Sequence, residues 1–309
     1  MATALFLGVE SKAKKVKNIY IGVDGKAKKV KKAWIGDANG KAKLFYSSEL
    51  TQPTYTGTWE VTTIGNYKYM YLKDSGTLTI NDAGSYDLFC VGGGASGARY
   101  AGYVGAHCGG SSGKTATALQ KQLSAGTALT VTIGAGGVAH TSGYQTNAGG
   151  ATSIGSLCSA VGATNAGMSG TKAGTGGSGG GRGGYASVDD NDNLDTRTPN
   201  NGGSDGDNAD GTGQGTTTRA FGESSGTLYA GGGGGGFYND AGSSYNKEGG
   251  SGGSGGGGKG SGYNSSGTRY AAVAGTNNTG GGGGGGANGS DKSGAAGGSG
   301  LAIIRWKIA

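Results

Sequence analysis

The 309-residue sequence is poor in residues that define several common protein classes. It has two prolines, Pro53 and Pro199, and no strict Gly-X-Y period, which excludes a collagen triple helix. Its three cysteines, Cys90, Cys108 and Cys158, are an odd set without metal-ligand spacing, so we expect reduced thiols instead of a disulfide framework. No run of about 18 apolar residues exists, and the sequence therefore predicts no transmembrane helix.

Glycine, in contrast, is present at a density that few folds tolerate. Nine of the 76 glycines precede Val91, which leaves 67 in the 209 residues from 92 to 300. Such a segment is either a flexible linker or a lattice of closely packed bare backbones. Tyr, Arg, Phe, Val and Leu interrupt the glycine runs, which favours the lattice. We predict polyglycine-II-type rods, and residues 280–286, all glycine, would span roughly 22 Å at a rise of about 3.1 Å.

The first 50 residues form a basic region with an internal repeat. Residues 12–25 are followed by a similar segment at 26–40 and a shortened one at 41–46, with turn signals at Asp24-Gly25 and Asn39-Gly40. Each copy predicts one strand and a hairpin turn in a small β-module. Residues 1–46 hold 11 lysines and three acidic residues, a net charge of +8, whereas the remainder is close to neutral.

Two interpretations of this basic charge remain open. The lysines either alternate on the solvated face of a small sheet, where they prevent edge pairing, or they dock onto a partner. No recognised nucleic-acid-binding module is present, so no nucleic acid partner is expected. For docking, the candidate attachment residues are Lys14, Lys15, Lys28, Lys29 and Trp34.

Between the basic region and the glycine-rich segment, the sequence predicts half-buried antiparallel strands. Apolar and polar residues alternate in several short segments: 59–64, 67–72, 77–80 and 86–91. Two distant segments, 127–133 and 301–309, predict strands that close the same small sheet. The expected fold is mainly β with little or no α-helix: a β-repeat module at 1–50, an antiparallel sheet at 51–91 and a glycine-rich polyglycine-II-type bundle at 92–300.

The junctions between strands and glycine runs resemble those of a known group of proteins. Residues 76–94, 130–137, 149–157 and 298–306 resemble the glycine-rich domains of bacteriophage and prophage tail-fibre proteins, and the Lys-Ala-Lys-Lys-Val repeats resemble their amino-terminal repeats. The resemblance implies polyglycine-II helices that present variable loops to a host receptor. It also implies a virion protein, made in the host cytoplasm and released by lysis. Fibres are commonly homotrimers, although this chain has no heptads to specify a trimer.

The loops between the glycine runs have the composition of a binding surface. Tyr, Ser, Gly and Asn with an occasional Arg are typical of antibody binding sites, where Tyr supplies rigid contact area and Asn and Ser supply adaptable hydrogen bonds. The alternative is that these tyrosines lie flat over the glycine rods and shield them from water. For binding, the candidate residues are Tyr100, Tyr103, Tyr238, Asn239, Asp240, Tyr245, Tyr263, Arg269 and Tyr270.

Motifs for catalysis or cofactor binding are weak. Residues 109–115 resemble a phosphate-binding loop, but Cys108 stands where that motif needs its first glycine. The G-x-S-x-G pattern at Ser178 and Ser254 is expected by chance in a glycine-rich sequence. Neither His107 nor the second histidine lies near a convincing nucleophile, so we expect no enzyme and no cofactor.

One acidic segment gives a weak hint of a metal site. The carboxylates of Asp189, Asp190, Asp192 and Asp195 gather oxygen ligands of the kind that Ca²⁺ prefers. Their spacing departs from the EF-hand pattern, since Leu194 stands where glycine is needed. A solvated acidic loop is the simpler interpretation, and no metal ion is expected.

The sequence therefore favours a phage structural protein, a tail-fibre or tail-tip adhesin that binds the host surface through loops on a glycine-rich scaffold. Its partners would be other tail proteins of the virion and a host saccharide or surface protein, without membrane insertion. A virion decoration without a receptor is the nearest rival. An ice-binding protein is a rival of another class, and it predicts one side of the bundle made of small residues with few charges. A depolymerase would need paired carboxylates in a cleft.

Overall fold

A computed structural model describes most of the chain. The described residues are 6–9, 12–15, 19–23, 26–30, 32–36, 42–47, 49–99, 106–140, 146–164, 173–188, 193–264, 266–287 and 293–308. Strands dominate this part of the chain, and its two 3₁₀ helices, Ala220–Gly222 and Ser243–Tyr245, are short. Within it, no helix is long and apolar enough to cross a membrane. The expectation of a mainly β chain with little or no α-helix is confirmed.

The basic amino-terminal region folds into two-stranded antiparallel sheets. Its strands are β1 (Phe6–Val9), β2 (Lys12–Lys15), β3 (Tyr20–Val23), β4 (Lys26–Lys29), β5 (Lys32–Gly36) and β6 (Ala42–Ser47). β1 pairs with β2, β3 with β4 and β5 with β6, so each hairpin joins the end of one sequence repeat to the start of the next. Val23 pairs with Lys26 across the predicted Asp24-Gly25 turn. A repeat therefore contributes two strands, where its sequence predicted one.

Two five-stranded sheets form the base of the remaining chain. The strands that follow the hairpins are β7 (Thr54–Tyr55), β8 (Trp59–Ile64), β9 (Tyr67–Leu72), β10 (Gly76–Thr79), β11 (Gly84–Val91), β12 (Thr115–Leu123), β13 (Ala128–Thr132), β14 (Thr152–Ile154), β15 (Cys158–Ala160), β16 (Gly184–Val188), β17 (Leu194–Arg197), β18 (Phe237–Asn239), β19 (Gly262–Tyr263), β20 (Arg269–Tyr270) and β21 (Leu301–Lys307). Sheet I has the order β12-β11-β21-β9-β8, and sheet II has the order β15-β14-β13-β10-β7.

The sequence predicted one sheet closed by segments 127–133 and 301–309, and the structure has two. β13 pairs with β10 and β14 in sheet II, whereas β21 pairs with β11 and β9 in sheet I. The two segments are strands as predicted, but they belong to different layers. The physical reason is that alternation shows which residues face inward and does not show which strand lies beside which.

Side chains from both sheets form the core of the base. Along β11 and β21 they alternate between two buried clusters, as the period of two in a strand requires. Leu88 and Ile304 belong to the cluster between the sheets, whereas Phe89 and Ile303 pack on the opposite face of sheet I. There they meet Phe221 in the segment that precedes β18. The central strands β11 and β21 of sheet I are therefore covered on both faces.

A buried arginine ties sheet I to that covering segment. The guanidinium of Arg305 donates to the Asp87 carboxylate at 2.9 Å, to the Tyr69 hydroxyl at 3.0 Å and to the Glu223 carboxylate at 2.7 Å. The ring of Phe221 lies over it, with a centroid 3.9 Å from the guanidinium carbon. Because its charge is paired and its donors are used, this buried arginine links β21, β11 and β9 to residues 219–230.

The glycine-rich body continues the strands of the base as extended rods. Residues 92–98 follow β11, residues 106–113 precede β12, and residues 293–300 precede β21. The rod at 280–286 lies at the centre of the body. Successive amides of this rod donate to three different neighbours. Gly282 donates to the rod at 231–236, Gly283 to the rod at 93–98 and Gly284 to the rod at 271–276. Gly285 donates to the first of these rods again, so the pattern repeats every three residues.

The carbonyls of the central rod accept hydrogen bonds from further rods: 107–113, 256–261 and 293–300. A rod with three residues per turn presents its peptide groups in three directions, so its peptide groups can bond to six neighbouring rods. The amide of Gly281 is an exception, since it donates to the Thr279 hydroxyl. This arrangement is the polyglycine-II-type bundle that the sequence predicted. Most of its hydrogen bonds join backbone groups of segments that are far apart in the chain. A few buried hydroxyls, such as those of Ser111 and Ser112, bond to the rods as well.

The centre of the lattice accommodates only glycine, because the backbones of neighbouring rods are in contact there. A Cβ atom added to Gly283 would overlap the carbonyl of Ala295, and one added to Gly282 would overlap the carbonyl of Gly110. The obstructing atoms are backbone atoms of neighbouring rods, which cannot turn aside as a side chain does. Glycine is therefore required there by the close approach of the rods.

Five rods form one outer layer of the body, in the order 271–276, 294–300, 133–138, 147–151 and 161–164. These segments contain no Asp, Glu, Lys or Arg. Because a rod repeats every three residues, positions three apart share a face. Exposed pairs with this spacing are Ala135 and Val138, Ala148 and Ala151, Val161 and Thr164, and Val273 and Thr276. We call this uncharged surface the small-residue face.

Candidate functional site

The rods give the body two ends. Gly280, at one end of the central rod, bonds to Gly113 and Ser299, which lie two residues before strands β12 and β21 of the base. Gly286, at the other end, bonds to Ala98 and His107, one rod length away from those strands. We call this second end the tip. β16, β18 and β19 begin there, because Gly184 donates to Gly236, Phe237 donates to Ser261 and Ser261 donates to Gly285 of the central rod.

Three tyrosines lie side by side at the tip, on neighbouring strands. β16 and β18 are parallel, and Tyr185 is paired in register with Tyr238. β18 lies beside the β19–β20 hairpin, because the amide of Phe237 donates to the carbonyl of Ser261 at 2.8 Å. This places Tyr263 next to Tyr238. The three side chains are half-buried, and we call Tyr185, Tyr238 and Tyr263 the tyrosine row.

Carboxylates and guanidinium groups flank the tyrosine row. The Tyr185 hydroxyl donates to Asp195 at 2.6 Å, and the Arg197 guanidinium carbon lies 5.1 Å from the centre of the Tyr185 ring. The hydrogen bond to Asp195 raises the pKa of Tyr185, with burial adding to the effect. The Tyr238 hydroxyl donates to Asp240 at 3.3 Å, and burial followed by that carboxylate raises the pKa of Tyr238. Both phenols are therefore neutral donors at pH 7.

Asn239, predicted to contact a receptor, holds its own loop together. Its amide nitrogen donates to the carbonyl of Gly242 at 2.8 Å and to the side chain of Asn246 at 2.6 Å, and its oxygen accepts from the amide of Ala241 at 3.0 Å. The loop that it closes carries Tyr245, whose side chain is 39% exposed. Asn239 therefore positions the loop, and Tyr245 and Asp240 are the predicted binding residues that it leaves exposed.

Tyr270 fits the alternative interpretation of the loop tyrosines, in which they shield the rods. Its hydroxyl accepts a hydrogen bond from the amide of Gly249 at 2.9 Å, and Lys259 lies 4.7 Å from the ring centre. Lys259 in turn pairs with Glu248 at 2.7 Å, and that hydrogen bond raises the pKa of Lys259. Tyr270 thus completes the bonding of a rod end, whereas Arg269 lies in register with Tyr263 at the tyrosine row.

Several predicted residues lie outside the described residues: Tyr100, Tyr103, Asp189, Asp190 and Asp192. Asp195 is described and accepts the hydrogen bond from Tyr185. Across the described parts of the chain, no group of three or more His, Cys, Asp or Glu residues could hold a metal ion. The backbones of the predicted attachment residues are placed on strands: Lys14 and Lys15 on β2, Lys28 and Lys29 on β4 and Trp34 on β5.

Tyr185 is the residue of the tyrosine row that sequence reasoning missed. A signal for it was present, because Tyr185 directly follows the glycines at 183–184, just as Tyr263 follows Gly262 and Phe237-Tyr238 follow a glycine run. In each case an aromatic side chain marks the point where a bare rod leaves the lattice and becomes a strand. The composition of the neighbouring segment 189–195 indicated a possible metal site formed by carboxylates, and it did not indicate Tyr185.

The near-matches to chemical motifs are built into the lattice. Amides of the glycine-rich segment 109–113 donate to carbonyls of neighbouring rods, so they are not available to a phosphate. Ser178 is fully buried and its hydroxyl accepts from the amide of Gly206 at 3.2 Å. His107 is 2% exposed, and burial followed by the charge of Arg99 lowers its pKa to about 4. His107 is therefore neutral at pH 7 and out of reach of a substrate.

Comparison with known families agrees with this architecture. Residues 73–307 match the model of a family described as a glycine-rich domain. The match begins before β10 and ends within the last residues of β21, so it covers the base strands from β10 onward and the whole lattice. No curated protein matches the chain.

Proposed function

The chain belongs to the glycine-rich domain family, and from that premise we propose that it is a structural protein of a bacteriophage virion, a tail-fibre or tail-tip adhesin that recognises the host cell surface. The single observation that carries the proposal is the tip. A lattice bonded through its backbone places aromatic and polar side chains from β16, β18 and β19 at one end, opposite the base.

The rigidity of the lattice favours recognition. Binding is weakened when loops lose freedom on contact, and a surface that is already ordered avoids this loss. The tyrosine row is held by the β16–β18 ladder, and the loop of Tyr245 is closed by Asn239. Tyrosines with nearby Asn and Ser give a rigid and adaptable surface of the kind used by antibodies.

The basic hairpins suit the second task of such a protein, which is attachment to the particle. In β1–β2 and β3–β4, each position of a lysine-rich strand is paired in register with a strand that carries apolar residues. The net charge of +8 lies in this region, whereas the body is close to neutral. We propose that Lys14, Lys15, Lys28, Lys29 and Trp34 contribute to contact with an acidic tail protein.

A cell-binding assay separates the adhesin from its nearest rival, a virion decoration without a receptor. Labelled protein is incubated with intact cells of candidate hosts, beside a Tyr238→Ala/Tyr245→Ala variant. Tyr270 is left unchanged because its hydroxyl completes the bonding of Gly249. Trp59→Ala on β8 is the matched control, since Trp59 is an aromatic residue, 42% exposed, on a strand of the base.

The adhesin proposal expects saturable binding that the Trp59→Ala variant retains and the tip variant loses, with both variants folded by circular dichroism. Binding to no cell, together with incorporation of the protein into particles, would establish the decoration in its place. Binding that the tip variant retains would move the receptor contact away from Tyr238 and Tyr245.

The small-residue face supports a second candidate function, ice binding. It has the property that this rival predicted, since one side of the bundle exposes small residues without charges. Charged side chains hold liquid water, whereas regularly spaced small apolar groups leave an ordered water layer intact. A thermal hysteresis assay tests it: Val138→Lys and Val273→Lys should abolish any activity, and no hysteresis in the wild-type protein would dismiss this candidate.

A further inference from the structure

The tyrosine row combines features that point to one class of ligand, and the inference drawn from it rests on the proposed adhesin function. We propose that Tyr185, Tyr238 and Tyr263 bind a saccharide chain of the host envelope, with Asp195, Asp240 and Arg269 bonding to its hydroxyl groups. The structure brings these residues together from three separate segments of the chain, and two of the six, Tyr185 and Asp195, lie outside the loops that the sequence singled out for binding.

The spacing of the row suits a chain of sugar rings. Paired strands are about 4.8 Å apart, which is the spacing at which β16 and β18 present Tyr185 and Tyr238 in register. Tyr263, on the β19–β20 hairpin beside β18, extends the row. A pyranose ring presents an apolar C–H face that lies against the face of an aromatic ring, and an oligosaccharide repeats that face along its length. The three half-buried rings of the tyrosine row can therefore each lie against one sugar of the same chain.

The polar groups beside the rings supply the complementary chemistry. Sugar hydroxyls occur in adjacent pairs, and carboxylates and guanidinium groups bond to such pairs through two atoms at once. Asp195 already accepts from Tyr185, and Asp240 accepts from Tyr238. A carboxylate that accepts one bond retains further acceptor sites, since an ionised carboxyl group has about four lone-pair directions. The rings of Tyr185 and Tyr238 are thus each matched with an acceptor that their own phenol holds in place.

A surface protein is the competing ligand, and a different part of the tip would serve it. Val188 and Leu194 are paired at the end of the β16–β17 hairpin, and each is 43% exposed. Protein interfaces bury such apolar groups at their centres. The tyrosine row, in contrast, has the carboxylates of Asp195 and Asp240 beside two of its rings. Asp is depleted at the centres of protein interfaces, whereas carboxylates readily accept hydrogen bonds from sugar hydroxyls.

The experiment compares four proteins: wild type, Tyr185→Ala/Tyr263→Ala, Val188→Ser/Leu194→Ser and the Trp59→Ala control. Each is titrated against intact host cells, against the same cells after protease treatment and after periodate oxidation of sugar diols. Each is also titrated against lipopolysaccharide and capsular polysaccharide purified from those cells, which separates the two sources of the sugar. Circular dichroism and thermal unfolding confirm that every variant is folded.

We expect binding to withstand protease and to be lost after periodate, and we expect one of the two purified polysaccharides to bind. The Tyr185→Ala/Tyr263→Ala variant should bind it roughly tenfold more weakly or worse, while the other two variants bind normally. Binding that protease abolishes and periodate spares, with loss in Val188→Ser/Leu194→Ser, would overturn the saccharide site and leave the adhesin intact. Polysaccharide binding without binding to any cell would support the site and defeat the adhesin.

Discussion

The two-sheet base and the glycine-rich lattice belong to one chain but are held together by different groups. In the base, side chains such as Leu88 and Ile304 leave water and pack between sheets, so the apolar surface that they bury stabilises the fold. In the lattice, the rods bury little beyond their own peptide groups, and each rod is held by hydrogen bonds to its neighbours. The base therefore has an interior of packed side chains, whereas the interior of the lattice consists mainly of hydrogen-bonded backbone.

The difference teaches where each region tolerates change. A side chain removed from the base leaves a cavity into which its neighbours partly collapse. A side chain added to the lattice has no such relief, because the atoms that it meets are carbonyls of rods fixed by hydrogen bonds on several sides. Substitutions that are mild in most proteins should therefore be severe in the lattice.

The largest effect is expected for Gly283→Ala, at the centre of the lattice. The new Cβ overlaps the Ala295 carbonyl, so the rods must separate and lose hydrogen bonds on several sides. We expect a loss of about 4 kcal/mol or more in the free energy of unfolding, measured by chemical denaturation. Gly150→Ala is the control, since its Cβ would be 3.1 Å from the nearest atom. Equal stability of the two variants would contradict the rigid lattice.

A somewhat smaller effect is expected for Leu88→Ala, in the core of the base. Leu88 is fully buried between the sheets, and its truncation should cost about 3 kcal/mol by the same denaturation measurement. Leu119→Ala is the matched change on neighbouring β12, where the side chain is 50% exposed, and it should cost less than about 0.5 kcal/mol. The comparison of regions fails if Leu88→Ala proves more harmful than Gly283→Ala.

The buried imidazole of His107 predicts a dependence of stability on pH. Its pKa is about 4 in the folded protein and 6.5 in the unfolded chain. Above pH 6.5 both states are neutral, whereas between pH 6.5 and 4 only the unfolded state binds a proton, so stability falls as pH falls. The expected loss across this window is about 3 kcal/mol. Denaturation midpoints of a His107→Gln variant should fall less steeply, and parallel curves would exclude His107 as the cause.

The smallest effect is expected for Tyr270→Phe, which tests a side chain at the edge of the lattice. Losing the hydroxyl leaves the Gly249 amide without its acceptor, at a cost of about 1 kcal/mol in thermal or chemical unfolding. Tyr245→Phe, in an exposed loop, should leave stability unchanged. If Tyr270→Phe leaves stability unchanged but weakens cell binding, Tyr270 contacts the receptor, as the sequence of its loop suggested. The interpretation that Tyr270 shields the rods would then be wrong.

The fold class could be predicted from the sequence because its two signals are local. Alternation marked β8 and β9, a short apolar segment marked β21, and the glycine runs marked the lattice, whose three-residue period follows from backbone geometry alone. β12 was missed, because this edge strand exposes residues on both sides and its sequence, TATALQKQL, shows little alternation. The division into two sheets was missed as well, since the pairing of β13 with β10 depends on contacts between distant segments.

The candidate site could be predicted in part. Composition marked the loops that carry Tyr238 and Tyr263, because tyrosine stands out in a glycine-rich background. It could not separate Asn239 and Tyr270, which complete hydrogen bonds within the molecule, from residues that remain available to a ligand. Nor could it place Tyr185 beside Tyr238, because that neighbourhood arises from a parallel pairing between segments about 50 residues apart.

The central rod has a consequence for how the protein is made. Residues 280–286 join rods at 93–98 and 107–113 to the rod at 293–300, so the middle of the body comes from late in the chain. Synthesis delivers the early rods first, and their peptide groups have only water as a partner until the late rods emerge. Assembly of the body must therefore wait until residues 280–300 have emerged, and a product truncated before residue 280 would lack the central rod.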